Sequence, residues 1–174
     1  MKLKIYKNIF SDSDLKVIQS YSDEYYKSQN YRKNKNWNST IIQNSKPVLI
    51  HDIKNDYLLS LIKNKLLEIG INQEPKGMMF YYWKEGSYIP WHTDKSHSAG
   101  LTIYLNDEWK YSYGGLFLYT IDDKIEAIIP KKNVGVFQIG GVPHSTTIVS
   151  ENKVRKTLQV FFKESKNKVK KSII

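Results

Sequence analysis

Four histidines and no cysteine are present in the chain, so a transition-metal site depends on imidazole and carboxylate ligands. His92 and Asp94 form a His-x-Asp triplet. In an extended segment residues two apart point to the same side, so this pair aims two ligand groups at one point. His144, which follows a Gly-Gly-Val-Pro turn, is the candidate third ligand. Two histidines and one carboxylate leave three octahedral positions open, which suits Fe(II) with a chelating cosubstrate and O₂.

A His-x-Asp triplet alone is weak evidence, and a basic residue downstream strengthens it. Arg155 lies eleven residues after His144, and strand alternation places Thr157, Gln159 and Phe161 on its face. If that face looks into a barrel, the buried guanidinium needs an anion. A dicarboxylate with one end on the metal and the other on Arg155 meets that need. The alternative is that Arg155 faces solvent or pairs with a protein carboxylate.

The N-terminal half of the sequence predicts a strand and two helices. Residues 2–10 alternate polar and apolar types and predict a short strand. Ser11 and Asp12 offer an N-cap for a helix whose apolar residues follow at helical spacing from Leu15 to Tyr25. A second helical segment begins at Asp56, carries an apolar stripe from Leu58 to Ile69 and has a plausible C-terminal stop at Gly70.

The second half predicts seven short strands separated by turn residues, which favours a β-sandwich or open barrel with the two helices packed on one sheet. The predicted strands are Met78–Trp83, Leu101–Leu105, Leu116–Thr120, Glu126–Ile129, Val134–Ile139, Ser145–Val149 and Arg155–Phe162. We expect a single domain over residues 1–163, with its core in 76–163, and a basic, mobile tail over 164–174.

The chain carries a net charge of +10, which allows anionic partners such as nucleic acid or acidic protein but also fits a lysine-rich surface. Its apolar content of 40% is ordinary for a globular protein. The sequence shows no secretory signal and no apolar run of membrane-spanning length. We therefore expect a cytoplasmic protein that does not enter a membrane, in a host cytoplasm if it is viral.

From Met78 to Phe162 the sequence resembles the 2-oxoglutarate/Fe(II) dioxygenases, specifically the prolyl 4-hydroxylase-like branch. The resemblance implies a double-stranded β-helix of the jelly-roll or cupin type, and it rests on the order and spacing of several features together. These are Tyr82 ten residues before His92, the His92-Thr93-Asp94 triplet, Thr102–Asn106 with Trp109, Gly114-Gly115-Leu116, Pro130 before the Val134–Phe137 strand, His144 and Arg155.

The resemblance also implies cofactors and site roles. The cofactors are Fe(II), 2-oxoglutarate and O₂, with ascorbate as a candidate reductant. Tyr82 would face the cosubstrate near the metal, Tyr104 would donate its phenol to the far carboxylate beside Arg155, and Thr157 would add a polar contact there. Gly114-Gly115 would permit a tight strand entry. Either tyrosine is alternatively a core aromatic with a satisfied hydroxyl.

The leading substrate implied by the family is a prolyl residue in a peptide or protein. Loops 29–45 and 106–113 are candidates for covering an extended peptide, and they offer aromatic side chains at Trp37, Trp109, Tyr111 and Tyr113. The alternatives are a free amino acid or other small molecule, a nucleic acid that is oxidatively demethylated, or an inactive cupin-like binding module.

The sequence departs from parts of the family pattern. Arg155 stands where animal collagen-type enzymes have Lys, and Phe161 stands where the demethylase branch has a second Arg. Trp91 before the metal triplet predicts a bulky entrance. We expect His97 on a loop without metal contact, and His51 in a structural or surface role.

Overall fold

The computed structural model describes residues 3–34, 44–94 and 99–163. These residues form two α-helices, α1 (Asp12–Lys27) and α2 (Asp56–Glu68), a 3₁₀ turn at Tyr111–Tyr113 and eleven strands. The strands are β1 (Leu3–Lys7), β2 (Arg32–Lys33), β3 (Leu49–Asp52), β4 (Pro75–Lys84), β5 (Ile89–His92), β6 (Ala99–Tyr104), β7 (Phe117–Ile121), β8 (Lys124–Ile128), β9 (Val134–Ile139), β10 (His144–Thr146) and β11 (Val154–Phe162).

The strands form two antiparallel sheets that face each other as a double-stranded β-helix. The larger sheet has the order β1-β9-β6-β11-β4-β3-β2, and the smaller has the order β5-β10-β7-β8. Tyr104 and Val136 of the larger sheet pack against Phe117 and Ile128 of the smaller one. The predicted fold class is therefore confirmed.

Both helices cover the outer face of the larger sheet. Ser11 caps α1 by accepting a hydrogen bond from the Asp14 amide, and Asn55 caps α2 in the same way through Leu58. Their apolar stripes pack on alternate strand residues, so this face is a conventional hydrophobic core. The residues in contact include Leu15, Ile18, Leu58, Ile62 and Leu66 from the helices and Phe80, Tyr82, Leu101, Ile103, Leu158 and Val160 from the sheet.

The register of the larger sheet decides which side chains look inward. Arg155 of β11 pairs with Trp83 of β4, and Thr157 pairs with both Tyr81 of β4 and Tyr104 of β6. Directly opposed residues project to the same side, so all five belong to the inner face. The inner face therefore combines a cation with hydroxyls and aromatic rings, unlike the apolar outer face.

The N-terminal strand and all seven strands predicted for the second half are present, with ends that differ by a few residues, and both predicted helices are present, the second beginning at Asp56 as predicted. The sequence reading did not recognise β2 and β3, which extend the larger sheet beyond β4, and it treated β5 only as an extended segment before His92. Part of loop 29–45 and the whole 164–174 tail lie outside the described residues. Within the described ranges, no helix has the length and apolarity to cross a membrane.

Candidate metal centre

His92 and His144 are brought together by strand pairing in the smaller sheet. His92 ends β5, His144 begins β10, and the two residues face each other in the antiparallel register. Their ring centroids lie 4.2 Å apart. Pairing of two strands separated by about fifty residues along the chain thus places both imidazoles on one side.

Both imidazoles are held in the tautomer that binds metal. His92 Nδ1 lies 2.8 Å from the Pro90 carbonyl oxygen, and His144 Nδ1 lies 2.8 Å from the Val142 carbonyl oxygen. A carbonyl only accepts, so each Nδ1 carries the proton and each Nε2 keeps its lone pair. Such a hydrogen bond on the second nitrogen is the usual way in which a ligand histidine is oriented.

Asp94 completes the group from the segment that follows β5. Its Oδ1 lies 3.7 Å from His92 Nε2, and its Oδ2 lies 3.6 Å from His144 Nε2. The three ligand atoms fall within 4.8 Å of one another. Ligand atoms about 2.1 Å from one ion at tetrahedral or octahedral angles lie roughly 3.0–3.4 Å apart. Each histidine therefore lies within a few tenths of an ångström of that spacing from one oxygen of Asp94, and the group is close to the arrangement that an ion requires.

The electrostatics favour neutral imidazole at this site. Burial lowers the pKa of His144, and the neighbouring His92 lowers it further. A neutral imidazole is the ligand form, so the protein keeps His144 ready for a cation near neutral pH.

Arg155 lies in the same pocket, deeper in the molecule. Only 1% of it is exposed, and its guanidinium carbon lies 5.1 Å from the Trp83 ring centroid and 5.0 Å from that of Tyr104. No carboxylate in the described ranges forms an ion pair with it, and its Nε has no hydrogen-bond partner there. Burial lowers the pKa of Arg155, but an arginine remains charged. The pocket therefore contains a buried cation that no carboxylate of the described residues neutralises.

Two further orphaned polar atoms are adjacent to Arg155 in the sheet. The Tyr104 hydroxyl, which interacts with the Arg155 guanidinium, and the Thr157 hydroxyl are buried without a hydrogen-bond acceptor among the described residues. Burial raises the pKa of Tyr104, so its hydroxyl stays protonated and can donate. Buried polar atoms are normally satisfied, so this cluster is best explained by a polar ligand that the described residues do not supply.

The position predicted for Tyr82 is wrong. Its side chain points to the outer face of the larger sheet, where it is fully buried and its hydroxyl donates to the Ser22 carbonyl at 2.9 Å. Its partner in the register is Lys156, whereas the inward-facing Arg155 pairs with Trp83. Tyr82 is thus the core aromatic with a satisfied hydroxyl, and the tyrosine of β4 that lines the pocket is Tyr81.

Several lining residues were not singled out as site residues. Trp83, Thr102, Gln138 and Gln159 line the pocket together with the metal triad and Arg155. Gln159 is recoverable from the sequence, because it shares the strand face of Arg155. The others depend on strand register, which the sequence does not display.

The two glycines before β7 make room for the pocket wall. Both have positive φ, 64° at Gly114 and 62° at Gly115. A Cβ on Gly115 would lie 2.8 Å from Arg155 Cδ. The sharp strand entry predicted here is present, and the missing side chain leaves space for the arginine stem.

The other predicted positions are structural or lie outside the description. His51 stacks on the Tyr25 ring at 3.7 Å, and its Nδ1 lies 2.6 Å from the Asn30 carbonyl oxygen, in agreement with a structural role. Trp109 donates to the Gly114 carbonyl and meets the Tyr113 ring edge-on, so both anchor the 106–113 loop. His97 and Trp37 are outside the described residues.

The sequence matches no family model and no curated protein. The fold, in contrast, is shared with solved oxygenase structures. A Pseudomonas putida prolyl-4-hydroxylase aligns with a TM-score of 0.78 and 16% identity, over 93% of this chain and 92% of that one. The chain has the fold of the 2-oxoglutarate/Fe(II) oxygenases.

Two other solved structures show how widely activity varies among proteins with this fold. A Trichoplax adhaerens prolyl hydroxylase, in complex with a hypoxia-inducible-factor degradation-domain peptide, aligns with a TM-score of 0.78 and 16% identity, over 92% of this chain and 83% of that one. A non-haem alpha-ketoglutarate-dependent carbocyclase from nogalamycin biosynthesis aligns with a TM-score of 0.71 and 11% identity, over 92% and 79%. One scaffold thus serves very different substrates, and likeness at this identity establishes the fold alone.

Proposed function

We propose that the protein is an Fe(II)- and 2-oxoglutarate-dependent oxygenase that hydroxylates a C–H bond. The observation that carries the proposal is the presence of two complementary half-sites in one pocket. His92, Asp94 and His144 offer a set of three ligands, and Arg155 offers a buried cation that has no anionic partner among the described residues. A small dicarboxylate that chelates the metal at one end satisfies both.

The donor set fits this metal and this cosubstrate. Two imidazoles and one carboxylate, with no thiolate anywhere in the chain, suit non-haem Fe(II). Tyr104 and Thr157 supply hydroxyl donors beside the guanidinium for the far carboxylate. When bound, the iron supplies O₂ activation, and the overall reaction converts 2-oxoglutarate, O₂ and R–H into succinate, CO₂ and R–OH.

The chain's own residues position and shield the reactants. The Nδ1–carbonyl hydrogen bonds fix the planes of His92 and His144, so both Nε2 lone pairs point at one place. Trp83 and Tyr104 flank the guanidinium and keep Arg155 in place, and Phe117 stacks on His144. Positioning and exclusion of water are the usual contributions of the protein in cofactor enzymes.

The substrate that we propose first is a prolyl residue in a peptide or protein. Support comes from the prolyl hydroxylase structures that share the fold, one of them in complex with a peptide. Because the carbocyclase has the same scaffold, free amino acids and other small molecules are alternative substrates. A nucleic-acid substrate is supported by the net charge of +10 alone.

Turnover tests the proposed reaction. Protein reconstituted with Fe(II), 2-oxoglutarate and ascorbate should form succinate slowly in an O₂-dependent manner, even without substrate. His92→Ala should abolish this, and His51→Ala is the matched control because His51 lies away from the pocket. Folded wild type that forms no succinate, or equal rates in the wild type and His92→Ala, would refute the oxygenase function.

The substrate class is tested with the same assay. Proline-containing peptides, free amino acids and methylated oligonucleotides are added in parallel, and a true substrate should raise succinate formation and gain one oxygen atom by mass spectrometry. Stimulation by oligonucleotides alone, with a steep salt dependence, would replace the prolyl proposal.

A further inference from the structure

Burial along β11 shows where the pocket opens. Arg155 and Thr157 are each 1% exposed, Gln159 is 9% exposed, and Phe161 is partly exposed. All four side chains share the inner face, so the pocket runs from Arg155 at its closed end towards Phe161 at its mouth.

Gln159 presents amide hydrogens at this mouth. Thr102 Oγ1 donates to Gln159 Oε1 at 2.7 Å, which fixes the orientation of the carboxamide. The Nε2 atom therefore turns away from Thr102, and no acceptor for it is found in the described part of the chain. Nine-tenths of Gln159 is nevertheless buried.

Gln138 presents a second carboxamide from β9. Its Nε2 lies 3.2 Å from Asp94 Oδ2 and 3.2 Å from His144 Nε2, so each amide hydrogen has one acceptor. The residue is only 7% exposed, and its Oε1 has no partner among described residues. When His144 Nε2 gives its lone pair to a metal, one Gln138 hydrogen loses its acceptor while the other stays on Asp94.

The two carboxamides converge on the space above Gly100. In the register Gly100 stands between Gln138 of β9 and Phe161 of β11. A Cβ built on Gly100 would lie 3.7 Å from Gln159 Nε2, 3.9 Å from Phe161 Cδ1 and 4.0 Å from Gln138 Nε2. We call this space the Gly100 notch, because it has an aromatic edge and two amide donors but no side chain as its floor.

We propose that the Gly100 notch binds an acyl oxygen of the substrate. A peptide carbonyl or an amino-acid carboxylate accepts from Gln159 and from the hydrogen that Gln138 releases, and Phe161 covers the adjoining carbon atoms. This inference rests on the proposed function and deepens it, since it assigns substrate recognition to residues separate from the cosubstrate cluster at Arg155. It also makes substrate binding depend on an occupied metal site through Gln138.

The test measures binding without turnover. Mn(II) replaces iron, 2-oxoglutarate is added, and the paramagnetic relaxation of probe protons is recorded by NMR for N-acetylproline methylamide, free proline, thymidine and tert-butanol. We expect stronger relaxation enhancement for N-acetylproline methylamide, for free proline or for both than for tert-butanol. The ratio of the enhancements of the two proline probes distinguishes a peptide carbonyl from a free carboxylate as the preferred ligand. Enhancement should weaken about five-fold in Gln159→Leu and in Gln138→Leu, as for one lost neutral hydrogen bond.

Control measurements distinguish failure of the Gly100 notch proposal from failure of the proposed oxygenase function. Gln73→Leu makes the same substitution at an exposed position and should leave the enhancement unchanged. Mn(II) and 2-oxoglutarate affinities are measured for every variant, because Gln138 contacts Asp94. Wild type that does not bind Mn(II) and 2-oxoglutarate refutes the proposed function and this inference with it. Normal binding of both, with acyl enhancement unchanged in Gln159→Leu or with thymidine preferred, overturns the notch alone.

Discussion

Arg155 is a cation held in the protein interior mainly by ring faces. It lies about 5 Å from the ring centroids of Trp83 and Tyr104, and it has no ion pair in the described ranges. A buried charge without a partner costs stability, and proteins usually retain such a group for function. We therefore expect that Arg155 favours 2-oxoglutarate binding at the cost of stability in the ligand-free protein.

Replacement of Arg155 tests that trade directly. Arg155→Met should leave the apo protein as stable as the wild type or more stable by about 1 kcal/mol, because an uncompensated charge is removed. Its 2-oxoglutarate affinity should fall roughly thirty-fold, as for a lost charge-assisted hydrogen bond. Urea unfolding and calorimetric titration measure the two quantities. Arg32→Met, at an exposed ion pair, is the control. Strong destabilisation with unchanged affinity would mean that Arg155 is purely structural.

Gly115 gives a second prediction, about space rather than charge. In Gly115→Ala the new Cβ would lie 2.8 Å from Arg155 Cδ, so the arginine must shift and 2-oxoglutarate affinity should fall about ten-fold. The backbone φ of 62° is unfavourable for alanine, so the substitution should also cost roughly 1–2 kcal/mol of stability. Gly70→Ala has a similar φ of 81° but nothing within 4 Å. It should show the stability loss without the affinity loss. Equal affinities in the two variants would contradict the packing described for Arg155.

The strands of the larger sheet separate core from site by alternation. On β4, Phe80 and Tyr82 face the helices, and Tyr81 and Trp83 face the pocket. A shift of one residue exchanges the two faces, and the pairing of β4 with β11 fixes the choice. Two buried tyrosines, Tyr82 and Tyr104, therefore have opposite roles, because the first faces the helices and the second faces the pocket.

Removal of each hydroxyl distinguishes those roles. Tyr82→Phe deletes the bond to the Ser22 carbonyl and should destabilise the protein by about 1 kcal/mol with unchanged 2-oxoglutarate affinity. Tyr104→Phe deletes a hydroxyl that has no protein acceptor within the described residues, so stability should hold while 2-oxoglutarate affinity falls about five-fold. Thermal unfolding and titration of both variants provide the comparison. A reduced 2-oxoglutarate affinity in Tyr82→Phe would contradict the assignment of Tyr82 to the core.

At the scale of the whole molecule, the site joins segments that are distant in sequence. The ligands come from the β5 end and from β10 of the smaller sheet, and Gln138 of the larger sheet contacts both Asp94 and His144. An ion bound by all three ligands ties these segments together only in the folded state. Metal binding should therefore stabilise the fold as a whole.

The size of that stabilisation follows from mass action. A redox-inert ion such as Mn(II) at a hundred times its Kd should add about 2.7 kcal/mol, which corresponds to a Tm increase of roughly 5–11 °C for a chain of this size. Scanning calorimetry with and without Mn(II) measures it, with His92→Ala as the variant that should not respond. An equal rise in both proteins would place the ion elsewhere.

The sequence predicted most of this arrangement, and the exceptions have physical causes. Periodicity and caps located the helices and seven strands, and the alternation from Arg155 to Phe161 correctly gave one face of β11. Tyr82 was misplaced because spacing from His92 does not reveal which face of β4 turns inward. The Gly100 notch was missed because its parts come from three paired strands. Such a site is visible only once the register is known.

We expect one pocket to hold the metal and 2-oxoglutarate together, and an anaerobic titration can show whether it does. Addition of 2-oxoglutarate to the Fe(II) protein should produce the weak visible metal-to-ligand charge-transfer band of the chelate at one equivalent. The band should be absent in His92→Ala and should require far more 2-oxoglutarate in Arg155→Met. A folded wild type without the band, or a band indifferent to both substitutions, would contradict the account.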